Sequence, residues 1–363
     1  MKVLTLVLLT SFALGQGVDI TINYESDLAD YQFLNGQLNK YSVFFDGESH
    51  NVSSNETRHF NLFRYLYHNN GVRTYIKEYD FQVGYYINKY IQTGDISWIG
   101  KGPSKEAVEF YKKLHEFNAS LPDSEKIIFI SVDAYGFRDT EVFLGKMTQD
   151  KGQQPDVVKQ VLEILKPIKK THSTGIGMDI RGKDKNSIMT KIESARKIVA
   201  ENREEFEKYF ATDYLFFHLL VFNKATELRD EKNLALNFIT FSKLRNTGNY
   251  YLHYGNLHCQ IKSNWFADIV NNSTEFKDKV CSFTAQYRDS EYWFFGTKKE
   301  TDFGIINSGN YSKRLIETLT KESNSDCTLF SAKKLGQGIE KGTDYIYFLK
   351  NQKAMESYYK GKD

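Results

Sequence analysis

The residues best suited to do chemistry lie in Asp46-Gly47-Glu48-Ser49-His50, directly after the apolar run Tyr41-Ser42-Val43-Phe44-Phe45. A strand that breaks at a glycine and then offers a carboxylate and an imidazole presents a general acid–base pair at its carboxyl end. In open α/β sheets that end faces the ligand crevice. The pattern recurs: Val72 to Ile76 runs to Glu78, Ile127 to Val132 runs to Asp133, and Tyr250 to Tyr254 runs through Gly255 to His258. Four strand ends thus bring Glu48 with His50, Glu78, Asp133 and His258 toward one face. Histidine is the side chain that changes charge near neutral pH, so His50 or His258 can take or give a proton during a reaction. Glu48 and Glu78 would orient the imidazoles or hold a water, and Arg229, in Glu227-Leu228-Arg229-Asp230, would bind an anionic group or a developing oxyanion.

Other routes to catalysis are weaker. Ser49 lacks the closing glycine of a nucleophile elbow. Cys259 follows His258 directly, so in an extended segment the two point apart. Residues His172 to Gly177 are glycine-rich but have neither the preceding strand nor the lysine of a phosphate loop. A metal is an alternative within the same constellation, with Glu48, His50, Glu78 and His258 as ligands, although no motif fixes two of them on one helix. The other histidines, His59, His68, His115, His218 and His253, read as structural.

The elements that must position these groups follow from periodicity. Helical spacing over Glu56 to Asn70 ends at Gly71, a second helix carries Tyr85 to Tyr90 and ends at Gly94, and a third begins at Ser104 with Glu106 and Glu109 in its first turns. The order βαβααβ belongs to a parallel sheet with crossover helices. From Asp156 to Leu244 the pattern is helical, which predicts an insertion over the strand carboxyl ends. Its aromatics Tyr209, Phe210, Tyr214, Phe216 and Phe217 suit either an apolar ligand pocket or helix-packing core. Strands return at Tyr250 to Tyr254, Ser282 to Gln286, Thr328 to Ser331 and Asp344 to Leu349. The expected fold is therefore α/β, a mainly parallel sheet with flanking helices and this long insertion, in one domain over residues 16–363.

Bulk properties narrow the classes. The 363 residues are 40% hydrophobic and 15% aromatic, enough for a large core, and a net charge of +2 without a basic block argues against a nucleic-acid partner. Residues 1–15, with Lys2 before an apolar run and Ala13-Leu14-Gly15 after it, read as a secretory signal. The apolar run Tyr214 to Phe222 is far short of the roughly 20 residues that span a bilayer. A soluble, exported protein is expected, with glycosylation acceptors at Asn51, Asn55, Asn118, Asn271, Asn272 and Asn310. An oxidising compartment would allow one disulfide among Cys259, Cys281 and Cys327, with Cys281 to Cys327 the better pair if their strands are neighbours; buried free thiols are the alternative.

The run Phe45 to His50, a helix, and then Gly71 to Glu78 resemble the N-terminal signature of the erythromycin esterase-like family. Tyr85 to Asp95 is similar to the stretch that follows in its uncharacterised secreted members. Arg229-Asp230 with Asn237, and Tyr254-Gly255-Asn256-Leu257-His258, resemble its later arginine and histidine motifs. The resemblance implies an α/β fold and ester hydrolysis in which His50 activates water, with Glu48, Glu78, Arg229 and His258 completing the site. The esterases proper place two residues between glutamate and histidine. The single Ser49 here is similar to a wider superfamily that includes Tiki-type metalloproteases and haem-uptake lipoproteins. Three functions therefore remain open: an ester or lactone hydrolase acting on a small, apolar molecule, a non-enzymatic protein binding haem or another small ligand, and a metal-dependent peptidase.

Overall fold

A computed structural model describes residues 20–21, 28–99, 104–135, 140–168, 185–293, 303–307, 313–323, 325–333, 335 and 342–356. Its strands are β1 (Ile20–Thr21), β2 (Val43–Glu48), β3 (Val72–Lys77), β4 (Ile128–Ile130), β5 (Asn249–Gly255), β6 (Val280–Arg288), β7 (Ser290–Trp293), β8 (Phe303–Ile306), β9 (Cys327–Ser331) and β10 (Tyr345–Lys350). Its helices are α1 (Ser54–Asn70), α2 (Phe81–Thr93), α3 (Lys105–Ala119), α4 (Thr140–Thr148), α5 (Asp156–Leu165), α6 (Lys185–Glu201), α7 (Arg203–Phe210), α8 (Tyr214–Phe222), α9 (Glu231–Arg245), α10 (Phe266–Asn271) and α11 (Lys313–Glu322).

Eight strands form one sheet in the order β1-β9-β10-β6-β2-β5-β3-β4, and β7 with β8 make a separate hairpin. The six strands from β10 to β4 are parallel, and β9 runs against β10, with β1 beyond it at the edge. The central strands are buried along nearly their whole length because both faces are covered, as parallel sheets require. Alternation along β2 and β5 sorts the two layers. Val43, Phe45, Tyr250, Leu252 and Tyr254 pack against α4 to α10, while Phe44 and Tyr251 pack against α1 and α3. Each fully buried side chain of this kind contributes about 1.5–3 kcal/mol.

The expected elements form where periodicity placed them, with shifted ends. Pairing with β5 carries β2 through Glu48, three residues beyond Phe45. Ser104 caps α3 by accepting from the Ala107 amide, and Gly71, at φ 63°, ends α1. The helical block lies on one face of the sheet, and its α8–α9 connection crosses the strand carboxyl ends. Its aromatics are core: Phe210 stacks on Phe217 at 4.0 Å, and both are buried.

The proposed disulfide is corrected. β10 lies between β6 and β9, so Cys281 and Cys327 are not on neighbouring strands, and all three thiols are free and buried. Among the described residues no helix is long and apolar enough to cross a membrane. The signal segment, the glycine-rich run at 172–177 and Asn310 lie outside the described residues.

Candidate active site

Parallel strands bring chemistry to one end of the sheet because each leaves its last polar residue at the same level. Glu48 is the final residue of β2. Glu78 follows β3, Asp133 follows β4 by three residues, and His258 lies in the turn after β5. Gly47 lets the next loop come close: a Cβ there would stand 2.7 Å from Asn256 Oδ1 and 3.0 Å from Asn256 Cα.

Glu48 is the hub. Its Oε1 is 2.8 Å from His50 Nδ1, and its Oε2 is 2.9 Å from His253 Nε2 and 3.2 Å from His59 Nε2. The Tyr75 hydroxyl lies 2.8 Å from His253 Nδ1, so the ring is held between that hydroxyl and Glu48. Burial, then the charges of His59 and Lys77, hold the His253 imidazole well below its ordinary pKa. Burial alone would raise Glu48, but His253, His50 and His59 outweigh it and keep the carboxylate ionised well below the ordinary range. Ionised Glu48 therefore accepts the Nδ1 proton of His50, which leaves Nε2 of that ring with a lone pair directed outward.

A second buried carboxylate supports the first. Asp46 lies on the same face of β2 as Glu48 and is bound by the Arg58 guanidinium, by the Tyr251 hydroxyl at 2.5 Å and by His59 Nδ1 at 2.8 Å. Burial opposes its charge, and Arg58 and His59 prevail, so its pKa lies well below the usual carboxylate range. Arg58 also donates to the Gly47 carbonyl at 3.0 Å, which ties α1 to the strand that ends in Glu48.

Glu78 joins the remaining groups. Its Oε2 is 3.7 Å from His50 Nε2 and accepts the Gly255 amide at 2.9 Å. Its Oε1 accepts from Arg229 Nη2 at 2.9 Å and lies 3.5 Å from His258 Nε2. Arg229 also forks onto Asp133, through Nε at 2.8 Å and Nη2 at 2.7 Å. His258 turns Nδ1 to Glu231 Oε2 at 2.9 Å, where Glu231 opens α9. Burial opposes the His258 charge, but Glu231 and Glu78 outweigh it and lift its pKa to about 9. His50 rises above 6.5 because Glu48 and Glu78 outweigh its desolvation. His50 remains 43% exposed, the accessible end of the network.

The structure thus brings together Glu48, His50, Glu78, Arg229, His258 and Asp133. Arg229 differs from expectation: its Nε and Nη2 are committed to Asp133 and Glu78, so among the described residues only Nη1 is without a partner. His59 and His253, expected to be structural, stand in the centre of the network, and Asp46, Arg58 and Glu231 join them. The signal for Asp46 was its i, i+2 relation to Glu48, which puts two carboxylates on one face of a buried strand. The polar sequence Glu56-Thr57-Arg58-His59 in the first turns of α1 supplies their partners. His68 and His115 sit on helices, and His218 stacks on Phe222, as expected.

The proposed ligand set Glu48, His50, Glu78 and His258 is strung along Glu78 rather than gathered about a point. Among the described residues the group whose possible ligand atoms lie close together is Glu48, His59 and His253, within 4.8 Å of one another. These residues do not fit an ion. Arg58 Nη2, 2.9 Å from His59 Nε2, puts a guanidinium charge against that donor. The two rings stack with centroids 3.4 Å apart, so their in-plane lone pairs run side by side instead of converging.

Two glycosylation acceptors are also excluded. Asn55 is buried and bonded to the Ser49 carbonyl and the Tyr287 hydroxyl, and Asn118 is buried and bonded to the Ile127 amide.

No family model matches the chain, and no curated protein matches its sequence. Solved structures share its fold. A succinoglycan biosynthesis protein superposes with a TM-score of 0.69 at 17% identity, covering 93% of this chain and 94% of that one. A Bacillus cereus protein gives 0.63 at 12% identity, over 92% and 94%. A histidine-to-asparagine mutant of erythromycin esterase, in its open conformation, gives 0.60 at 10% identity, over 90% and 94%. At these identities the likeness is one of fold, and at that level it agrees with the esterase-like resemblance.

Proposed function

We propose that this protein hydrolyses an ester or lactone through water activated by His50. The observation that carries the reading is the Glu48–His50 contact of 2.8 Å, which fixes the imidazole with its other nitrogen 3.7 Å from Glu78. As water attacks the carbonyl carbon, its proton passes to His50 Nε2, and Glu48 stabilises the imidazolium that forms. His258, cationic at neutral pH and 3.5 Å from Glu78 through Nε2, and the Arg229 guanidinium would place positive charge near the oxygen that gains charge. When the C–O bond breaks, the departing alkoxide takes a proton from His50 or His258, and the acid is released.

Leu228 and Leu257, each 47% exposed and one residue from Arg229 and His258, offer apolar surface beside the charged groups. A substrate with an apolar portion next to its ester suits that border. Residues 1–15 support export of the chain.

The test is turnover of an ester and lactone panel by the purified protein beside His50→Asn. Turnover that disappears in a folded His50→Asn protein supports the reading. No turnover above that variant on any substrate sinks it and moves the assignment to ligand binding.

A further inference from the structure

Asn51, Val52 and Ser53 follow His50 directly, and a segment near the other end of the chain lies against them. Val52 and Ala354 form an antiparallel bridge, flanked by hydrogen bonds from the Ser53 amide to the Lys353 carbonyl at 2.8 Å and from the Met355 amide to the Asn51 carbonyl at 3.0 Å. The bridge is dry: Val52, Ala354 and Met355 are all buried. The segment is anchored on both sides. Before it, the Asn351 amide donates to the Arg288 carbonyl and the Gln352 carbonyl accepts the Glu291 amide. After it, the Glu356 carbonyl accepts the Lys105 amide, and the Glu356 amide donates to Glu106 at the start of α3.

The turn it meets needs holding. Asn51 sits at φ 67°, a left-handed conformation that asparagine tolerates but does not prefer. Below the turn, Tyr287 takes the Ser49 amide at 3.2 Å and Asn55 binds the Ser49 carbonyl at 2.7 Å. Those contacts fix the entry to His50. The exit is fixed by the 353–355 pairing. The imidazole reaches Glu48 at 2.8 Å and Glu78 at 3.7 Å only from the backbone position that the segments on either side of His50 set.

We propose that residues 351–356 are a positioning strap, whose pairing with Asn51–Ser53 aims the His50 imidazole at both Glu48 and Glu78. Of the contacts this segment makes, the Met355 amide bond to the Asn51 carbonyl is nearest His50, one residue along. The bearing of the strap on catalysis rests on the reading of His50 as the base, whereas its bearing on the position of His50 does not.

The experiment keeps these apart. Full-length protein with an ester in place of the 354–355 amide, made by semi-synthesis, loses one N–H donor and keeps every side chain. Met355→Pro removes the same donor genetically, and Met355→Leu retains it. The His50 imidazole is titrated by NMR in each. Glu48, Glu78 and Lys77 are the charged groups that act on this ring. In the ester and Met355→Pro proteins the midpoint is expected to fall toward the ordinary value of about 6.5, while Met355→Leu matches the parent. On any ester that is turned over, kcat should drop roughly 10- to 100-fold with KM unchanged, the scale of a small misplacement of a catalytic group. An unchanged His50 midpoint in the folded ester protein overturns the strap, even if Met355→Pro fails to fold. A shifted midpoint in a protein without turnover upholds the strap and removes only the hydrolase reading.

Discussion

His50 and His258 face the two oxygens of a single carboxylate: His50 Nε2 lies 3.7 Å from Glu78 Oε2, and His258 Nε2 lies 3.5 Å from Glu78 Oε1. The two rings differ in their second partners, Glu48 for one and Glu231 for the other. His50 is exposed at the strand ends, whereas His258 is tucked between two acids, and in the proposed mechanism this asymmetry would make the first the base and the second the acid.

The rate should therefore follow a bell-shaped pH profile. In the proposed mechanism His50 works unprotonated, and its raised pKa places the acid limb above 6.5. His258 works protonated, so activity declines as pH rises through about 9. A kcat/KM profile from pH 5 to 10 checks both limbs. His258→Asn should abolish the alkaline limb; if that limb persists, His258 is not the acid.

Removing the base should cost about 10²–10⁴-fold in kcat. His50→Asn is expected to lose this much without unfolding, since the ring is half exposed. Glu48→Gln keeps an acceptor for the Nδ1 proton but removes the charge that stabilises the imidazolium. Its acid limb should therefore move down toward 6.5 as kcat falls. An acid limb that stays in place would show that Glu48 does not set the basicity of His50.

Asp46 predicts stability rather than rate. Removing its charge leaves Arg58 buried without its counter-ion, and breaking such a pair costs about 3–5 kcal/mol. Urea unfolding of Asp46→Asn at pH 7 measures this loss. The folded-state pKa values of Asp46 and Glu48 are depressed, so their contribution is present above the ordinary carboxylate value, about 4, and is lost as pH falls below it. The gap between Asp46→Asn and the parent should narrow in acid, and a gap independent of pH counts against this account.

Gly255 tests the space between the two groups. An added Cβ would lie 3.4 Å from His50 Nε2 and 3.6 Å from Glu78 Oε2, ordinary contact distances that leave the fold intact but fill the approach to both atoms. Gly255→Ala should retain its thermal midpoint and lose activity by about 10²-fold, a misplacement of roughly an ångström. Activity at the parent level would mean that reaction occurs elsewhere.

The parts of the site that were legible in the sequence are those fixed by local rules. An apolar run ending at glycine places Glu48 and His50, and Ser104 marks its helix because a side-chain oxygen satisfies an orphan amide. What was not legible depends on which elements become neighbours. His253 alternates with the apolar residues of β5 and reads as one more face residue until α1 brings His59 against it. Glu231 looks like an ordinary acidic first-turn residue, and only the return of the chain after β5 makes it a partner of His258. The disulfide failed for the same reason, since sequence order does not show that β10 separates β6 from β9.

The three buried thiols make the chain its own clock. Cys281 reports on β6 in the middle of the sheet, Cys327 on β9 near its edge, and Cys259 on the turn beneath the site. Burial pushes the Cys259 and Cys281 thiols up, away from the reactive thiolate. An alkylating reagent can reach these sulfurs only when the surrounding structure opens. The order in which they are labelled would then rank the opening of centre, edge and turn without any engineered probe.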